Sequence, residues 1–187
     1  MKKQRLAGAL AAFAATFGLV AVGTATPAQA AEQKPKVGYT QVTVAPAVYK
    51  LVAGAGITPA PVGGAKAFAY KNTLAARFPI TSASLRTLKI KHSGGISLTA
   101  GSRTIALRRF TIDLKRLRVS GKVSGSIGNA GRVDLFKIRR SGRPGLGVVR
   151  LTLTKPAAQA LNATFRVHAF SGGDTFGYAT PRPFARF

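Results

Sequence analysis

The stretch "RTIALRRFTIDLKRLRVSGKV", residues 103–123, decides the fold class. Its apolar residues recur at every second position. Phe110, Ile112 and Leu114 share one face, while Arg109, Asp113 and Lys115 take the other. After a change of phase, Leu117 and Val119 resume the inward set. A period of two marks strand and excludes an amphipathic helix, whose apolar residues would return every third or fourth position.

The same reading extends outward along the chain. "LKIKHSGGISLTA" (88–100), "GRVDLFKI" (131–138), "VVRLTLT" (148–154) and "TFRVHAF" (164–170) alternate or carry β-branched and aromatic residues. Between them lie "HSGG", "AGSR", "SGKVSGSIGNAG", "SGRPG" and "SGGD", clusters of turn-forming residues. Strands joined by short turns are antiparallel, because parallel neighbours need long crossovers. The expectation is an all-β protein, an antiparallel β-sandwich or barrel, with the sandwich preferred.

Two stretches depart from this rhythm and resemble each other. "VTVAPAVYKLVAGAGI" (42–57) aligns with "LTLTKPAAQALNATFRV" (151–167) if one residue is inserted. Each gives a Thr-containing strand, a proline and an Ala-rich helical turn. Pro46 and Pro156 suit a first helical turn, and Thr154 is a plausible cap. One or two short helices are therefore expected, and internal duplication competes with chance similarity as the explanation.

Composition bounds the rest. The chain has 187 residues, with 29 Lys and Arg against four acids and no cysteine. Lys2, Lys3 and Arg5 precede an apolar run of about 18 residues that ends before Ala28-x-Ala30. That pattern reads as a signal peptide over residues 1–30, cleaved near Ala30, rather than as an anchor. A linker over 31–38 and one domain over 39–187 follow. The expected protein is secreted or held at the cell envelope, with 26 cations against four acids, a net charge of about +22. Such a charge attracts polyanions, and for an exported chain these are anionic envelope polymers or a membrane surface.

Catalytic chemistry finds little material here. Past the linker the chain offers Asp113, Asp134, Asp174, His92 and His168. Asp113 reads as a surface ion-pair partner and Asp174 as a turn residue. There is no HExxH, nucleophile elbow or Gly-rich phosphate loop, so no enzymatic activity is expected. The absence of cysteine removes disulfides and thiolate metal sites. His168 has outward parity. His92 has inward parity with Ile90, and two readings stay open for it: a buried ring hydrogen bonded to a backbone carbonyl, or a group at the mouth of a pocket beside "SGG".

The order of features from "FPITSASLRTLKIKHSGGISLTAGSRTIALRRFTIDLKRLRVSGKV" (78–123) is similar to the HtaA-type haem-transport-associated domain of actinobacterial exported proteins. Upstream, "VAPAVYKLVAGAGIT" resembles the short helix in which that family carries a tyrosine. The resemblance covers about half of the expected mature chain. It implies a β-sandwich that binds haem as its cofactor, with Tyr49 as the iron ligand and His92 supporting it. Tyr39, just upstream, is an alternative ligand. A tyrosinate needs the ferric ion and a hydrogen-bonding neighbour to stay deprotonated, and basic residues would pair with the propionates. The chain departs from the family pattern in "VAPAV", which lacks the aromatic and Ser-Phe step before the tyrosine, and in Lys91, where glycine is expected.

Polyanion contact has its own candidates: Arg108, Arg109, Lys115, Arg116, Arg118, Arg139, Arg140 and Arg143, on or near adjacent strands and turns. Arginine suits bidentate phosphate contact. Nothing resembles a groove-reading helix or a base-stacking platform, so sequence-specific nucleic-acid recognition is not expected.

Overall fold

The computed structural model describes residues 38–187. The expected signal peptide, its cleavage point and residues 31–37 of the expected linker lie outside them. The described residues form one compact unit with a core of their own.

Eleven strands and two helices follow in chain order. They are β1 (Gly38–Val44), α1 (Pro46–Gly54), β2 (Thr58–Val62), β3 (Lys66–Tyr70), β4 (Thr73–Ser84), β5 (Lys89–His92) and β6 (Gly95–Ala100). Then come β7 (Arg103–Asp113), β8 (Arg118–Gly125), β9 (Gly128–Arg140), β10 (Val149–Leu153), α2 (Lys155–Phe165) and β11 (Thr175–Pro183). The all-β antiparallel class is as expected. In place of two facing sheets, however, β7, β5, β4, β1, β11, β10, β9 and β8 pair in that order, and β8 pairs back to β7. An eight-stranded ring results, a closed barrel that leaves no free edge along this path.

The quoted stretch is two strands and a turn. Its change of phase is the turn at Leu114–Leu117, so these two leucines are exposed rather than inward. Phe110, Ile112 and Val119 are buried as expected. Two other expectations are also corrected. The first half of "SGKVSGSIGNAG" belongs to β8, because glycine and serine are tolerated where cross-strand partners on both sides hold the backbone. "TFRVHAF" is the end of α2 and the coil after it, since Arg166 takes a left-handed conformation (φ 54°) that stops the helix.

Both expected helices form. Each has its proline in the first turn, and Thr154 Oγ1 accepts the Ala157 N–H at 3.2 Å while donating to the Asp134 carbonyl at 2.7 Å. The helix α2 closes one end of the barrel, with Ala157 and Leu161 facing Ile105, Val123 and Leu135. At this end the wall also divides. β4 pairs β3 over Thr73–Arg77 before it pairs β5, and β7 pairs β6 over Arg103–Arg108 before it pairs β5. β2 extends β6, but β2 and β3 share no ladder. The helix α1 packs beside them and buries Val48 and Val52 toward Leu74 and Ala76 of β4 and Ile96 and Leu98 of β6. The core is apolar; Ile80, Ile105 and Leu153 are completely buried, each worth about 1.5–3 kcal/mol of burial.

Candidate functional site

A bulge in β7 organises the barrel interior. Arg108 pairs with Lys122 and Thr111 with Ser120, so Arg109 and Phe110 together oppose Gly121. Arg109 has φ 50°, a conformation that suits a bulge and not a regular strand. A side chain at Gly121 would meet Leu135 at 2.9 Å and the Phe110 ring at 3.1 Å, so glycine makes the room in which that ring lies. The ring in turn packs edge-on against Phe78, with centroids 5.0 Å apart.

A bulge disrupts ladder pairing, and the displaced backbone groups find other partners. The Arg109 N–H donates to the Gly94 carbonyl at 2.8 Å, and Arg132 Nη2 donates to the Arg109 carbonyl at 3.0 Å. The Phe110 carbonyl faces inward, where His92 Nδ1 donates to it at 3.1 Å. This fixes the tautomer. Nε2 then accepts from the Thr40 hydroxyl at 2.7 Å. One ring thereby ties β5 to β7 and, across β4, to β1.

His92 is only 5% exposed. Burial pushes its pKa down to about 4, against a partial upward pull from the bond to Phe110. The ring is neutral at physiological pH. It also lines an apolar cavity of about 100 Å³ with Thr40, Phe78, Phe110, Ile138 and Phe176, which runs toward Leu114 and Pro181 at the end opposite α2. Of the two sequence readings of His92, the geometry matches the buried ring bonded to a backbone carbonyl; the ring borders the cavity from inside the barrel wall and not at a mouth.

Tyr49 is elsewhere. It lies on the outer side of α1, 38% exposed, at the rim of a hollow of about 70 Å³ lined by Val48, Val52, Pro59, Leu74 and Ile96. Its hydroxyl has no protein hydrogen bond among the described residues. The structure does not bring Tyr49 and His92 together: they line different cavities, and both nitrogens of His92 are engaged. Tyr39 is buried at 7% against Arg77 and Phe187, which leaves its ring no open face.

The titratable groups are spent locally. Asp113 accepts the Arg116 N–H at 2.9 Å and pairs with Lys89 at 3.6 Å; the backbone bond, then Lys89, holds its carboxyl below the usual range against the opposing effect of desolvation. Asp134 pairs with Arg116 at 3.0 Å, and Asp174 accepts the Ser171 N–H at 2.6 Å, closing its turn as expected. His168 is exposed, as expected. Among the described residues no cluster of His, Asp, Glu or Cys could hold a metal ion.

The cationic candidates fall into two groups. Arg108 and Arg109 lie on the outer wall, where Arg108, Lys122 and Arg132 form a row across β7, β8 and β9. Arg139 continues that wall opposite Arg150. Lys115, Arg116, Arg118, Arg140 and Arg143 gather at the open end, on the β7–β8 turn, at the start of β8, at the end of β9 and in the loop after it. The sequence reading missed Lys122, Arg132 and Arg150, which cross-strand register alone places in these rows. It also missed Thr40, whose role needs β1 beside β4.

No sequence-family profile matches the chain, and no curated protein matches it by sequence. Solved structures do. The C-terminal domain of HtaA from Corynebacterium glutamicum superposes with a TM-score of 0.53 at 15% identity, covering 76% of this chain and 93% of that one. The haem-binding protein HtaB from Corynebacterium glutamicum gives a TM-score of 0.53 at 10% identity, covering 75% of this chain and 88% of that one. At these identities the likeness is one of fold: the barrel with its two short helices is the fold of the HtaA-type domain.

Proposed function

We propose that this is an exported, non-enzymatic binding module whose α1 face takes haem, with Tyr49 as the residue that would supply a phenolate ligand. The observation that carries this reading is the position of Tyr49. A phenol with no hydrogen bond among the described residues stands partly in solvent beside an apolar hollow lined by residues of α1, β2, β4 and β6. When bound, haem would supply a ferric centre that stabilises a tyrosinate. The hollow is about 70 Å³, against roughly 300–1,000 Å³ for pockets that enclose a small ligand. The hollow is therefore too small to enclose a porphyrin. His92 fits the supporting role poorly, because both of its nitrogens are already satisfied. In this proposal it is a structural bolt. The test is a hemin titration followed at the Soret band. Tyr49→Phe is expected to abolish a saturable one-to-one shift, and His92→Gln to leave it in place. A shift indifferent to Tyr49→Phe would sink the assignment.

A second reading is favoured by the rows of outward cations on β7, β8, β9 and β10. The three aspartates past residue 37 are engaged locally, so most cations present their charge to solvent. Such a wall attracts anionic envelope polymers without any cofactor. Retention on a polyphosphate resin that falls steeply with salt supports it; retention insensitive to salt refutes it.

A further inference from the structure

Two turns at the open end of the barrel carry the same sequence pattern in the same geometry. They are "SLRTLK" (84–89), between β4 and β5, and "DLKRLR" (113–118), between β7 and β8. In each, the first residue's side chain accepts the backbone N–H three positions on: Ser84 Oγ from Thr87 at 3.2 Å, Asp113 Oδ1 from Arg116 at 2.9 Å. In each, the second leucine is left-handed, Leu88 at φ 52° and Leu117 at φ 51°. Leucine rarely adopts that conformation, which glycine or asparagine would take at lower cost. The turns touch, since the Leu114 N–H donates to the Leu88 carbonyl at 2.9 Å.

All four leucines are exposed: Leu85 by 92%, Leu88 by 43%, Leu114 by 41% and Leu117 by 47%. Val148, in the loop after β9 at the same end, is 57% exposed. Each turn leucine is followed directly by Arg or Lys, at 86, 89, 115 and 118. The rim of the barrel thus presents apolar tips set in a ring of positive charge.

We infer that this rim docks on an anionic lipid bilayer, with the four leucines entering the interface and the flanking cations pairing with lipid phosphates. The inference rests on the basic-surface reading above and names its partner. A bilayer interface satisfies both halves of the pattern, apolar burial and phosphate contact. A soluble phosphate polymer would use the cations but leave the leucines in water. A second copy would bring one strongly cationic surface against another.

The test uses the chain from Ala31, because the apolar run before it would bind vesicles by itself. Sedimentation is measured with phosphatidylcholine vesicles containing phosphatidylglycerol, and in parallel on a polyphosphate resin. The variant Leu85→Ser, Leu88→Asn, Leu114→Ser, Leu117→Asn keeps every charge, and a thermal melt checks its fold. The expected result is a roughly tenfold or greater loss of vesicle binding with resin retention unchanged. A single Leu85→Trp reporter should shift to the blue on vesicles and be quenched by brominated acyl chains. If the variant sediments as well as the parent, or the tryptophan stays in water, the leucine inference falls and the basic-surface reading stands. If neither vesicles nor resin retain the parent chain, both fall.

Discussion

Acid should unfold this domain through His92 before it does so through any carboxylate. The ring is neutral in the fold, with a pKa near 4, because burial disfavours the imidazolium and the Thr40 hydroxyl needs Nε2 as an acceptor. In the unfolded chain the same ring titrates near 6.5. The folded pKa is the lower, so the unfolded state binds the extra proton and stability rises with pH between about 4 and 6.5. It is complete above that window and lost as the pH falls through it. Linkage over the whole shift amounts to about 3 kcal/mol, of which about 2 falls between pH 7 and pH 5. With a urea dependence of about 2 kcal/mol per molar, the unfolding midpoint should drop by about 1 M between those two values. Asp113 does not confuse the measurement, because its lowered pKa places its own loss at more acid pH. The control is His92→Gln, which keeps a donor and an acceptor but cannot titrate; its midpoint should be nearly flat over the window. If the parent and His92→Gln lose stability in parallel from pH 7 to pH 5, His92 is not buried neutral, and the account of the bulge is wrong.

Three further outcomes follow from packing. Gly121→Val should destabilise by about 1–3 kcal/mol in urea unfolding, because any side chain there meets Leu135 and the Phe110 ring; a neutral result would mean that Phe110 does not lie across β8. Thr154→Ala should cost about 1 kcal/mol by the same measurement, through loss of the α2 cap and of the bond to Asp134. Leu117→Asn should raise the melting temperature, relieving about 1 kcal/mol of left-handed strain, and a fall would show that the exposed side chain packs after all.

How far the sequence disclosed this depended on how local each determinant is. Alternation in 103–113 and 118–123 reports burial directly, because each residue's face is set by its own strand. The turn leucines deceived that reading, since Leu114 and Leu117 keep the parity of a strand while standing on a tip. β2, β4 and β11 escaped notice because prolines interrupt them: Pro59 and Pro61 lie in a strand paired only with β6, and Pro79 sits near where β4 changes partner. Closure of the sheet was illegible for a different reason. The β7–β8 hairpin is local, but whether β11 returns to β1, with Gly38 opposite Pro183, is a matter of long-range pairing that no single strand encodes. The inward side of His92 was legible, but its partners were not, because one comes from a bulge and the other from a strand 52 residues away.

The likeness between 42–57 and 151–167 looked equally consistent with chance, and the fold gives it a geometric basis. β1 and β10 are the two neighbours of β11 and run the same way, although the aligned residues Val42 and Leu151 lie two positions apart along it, opposite Ala179 and Gly177. Each leads straight into a helix, and the caps are Ala45 and Thr154, the residues that the alignment pairs. These are two strand–helix units of the same order, set side by side around β11. The alignment also pairs Tyr49 with Gln159, and both are exposed. Helix phase therefore explains why an aromatic residue stands outside. Val48 and Val52 on α1, like Ala158 and Leu161 on α2, fill the inward positions, and the next position turns to solvent whatever residue occupies it. A tyrosine there gains little from burial, so its ring costs the fold nothing to lose. If Tyr49→Gln leaves the urea midpoint unchanged while abolishing the hemin shift, the phenol is there for a ligand; if it unfolds the domain, α1 packs through Tyr49 and the repeat does not govern its phase.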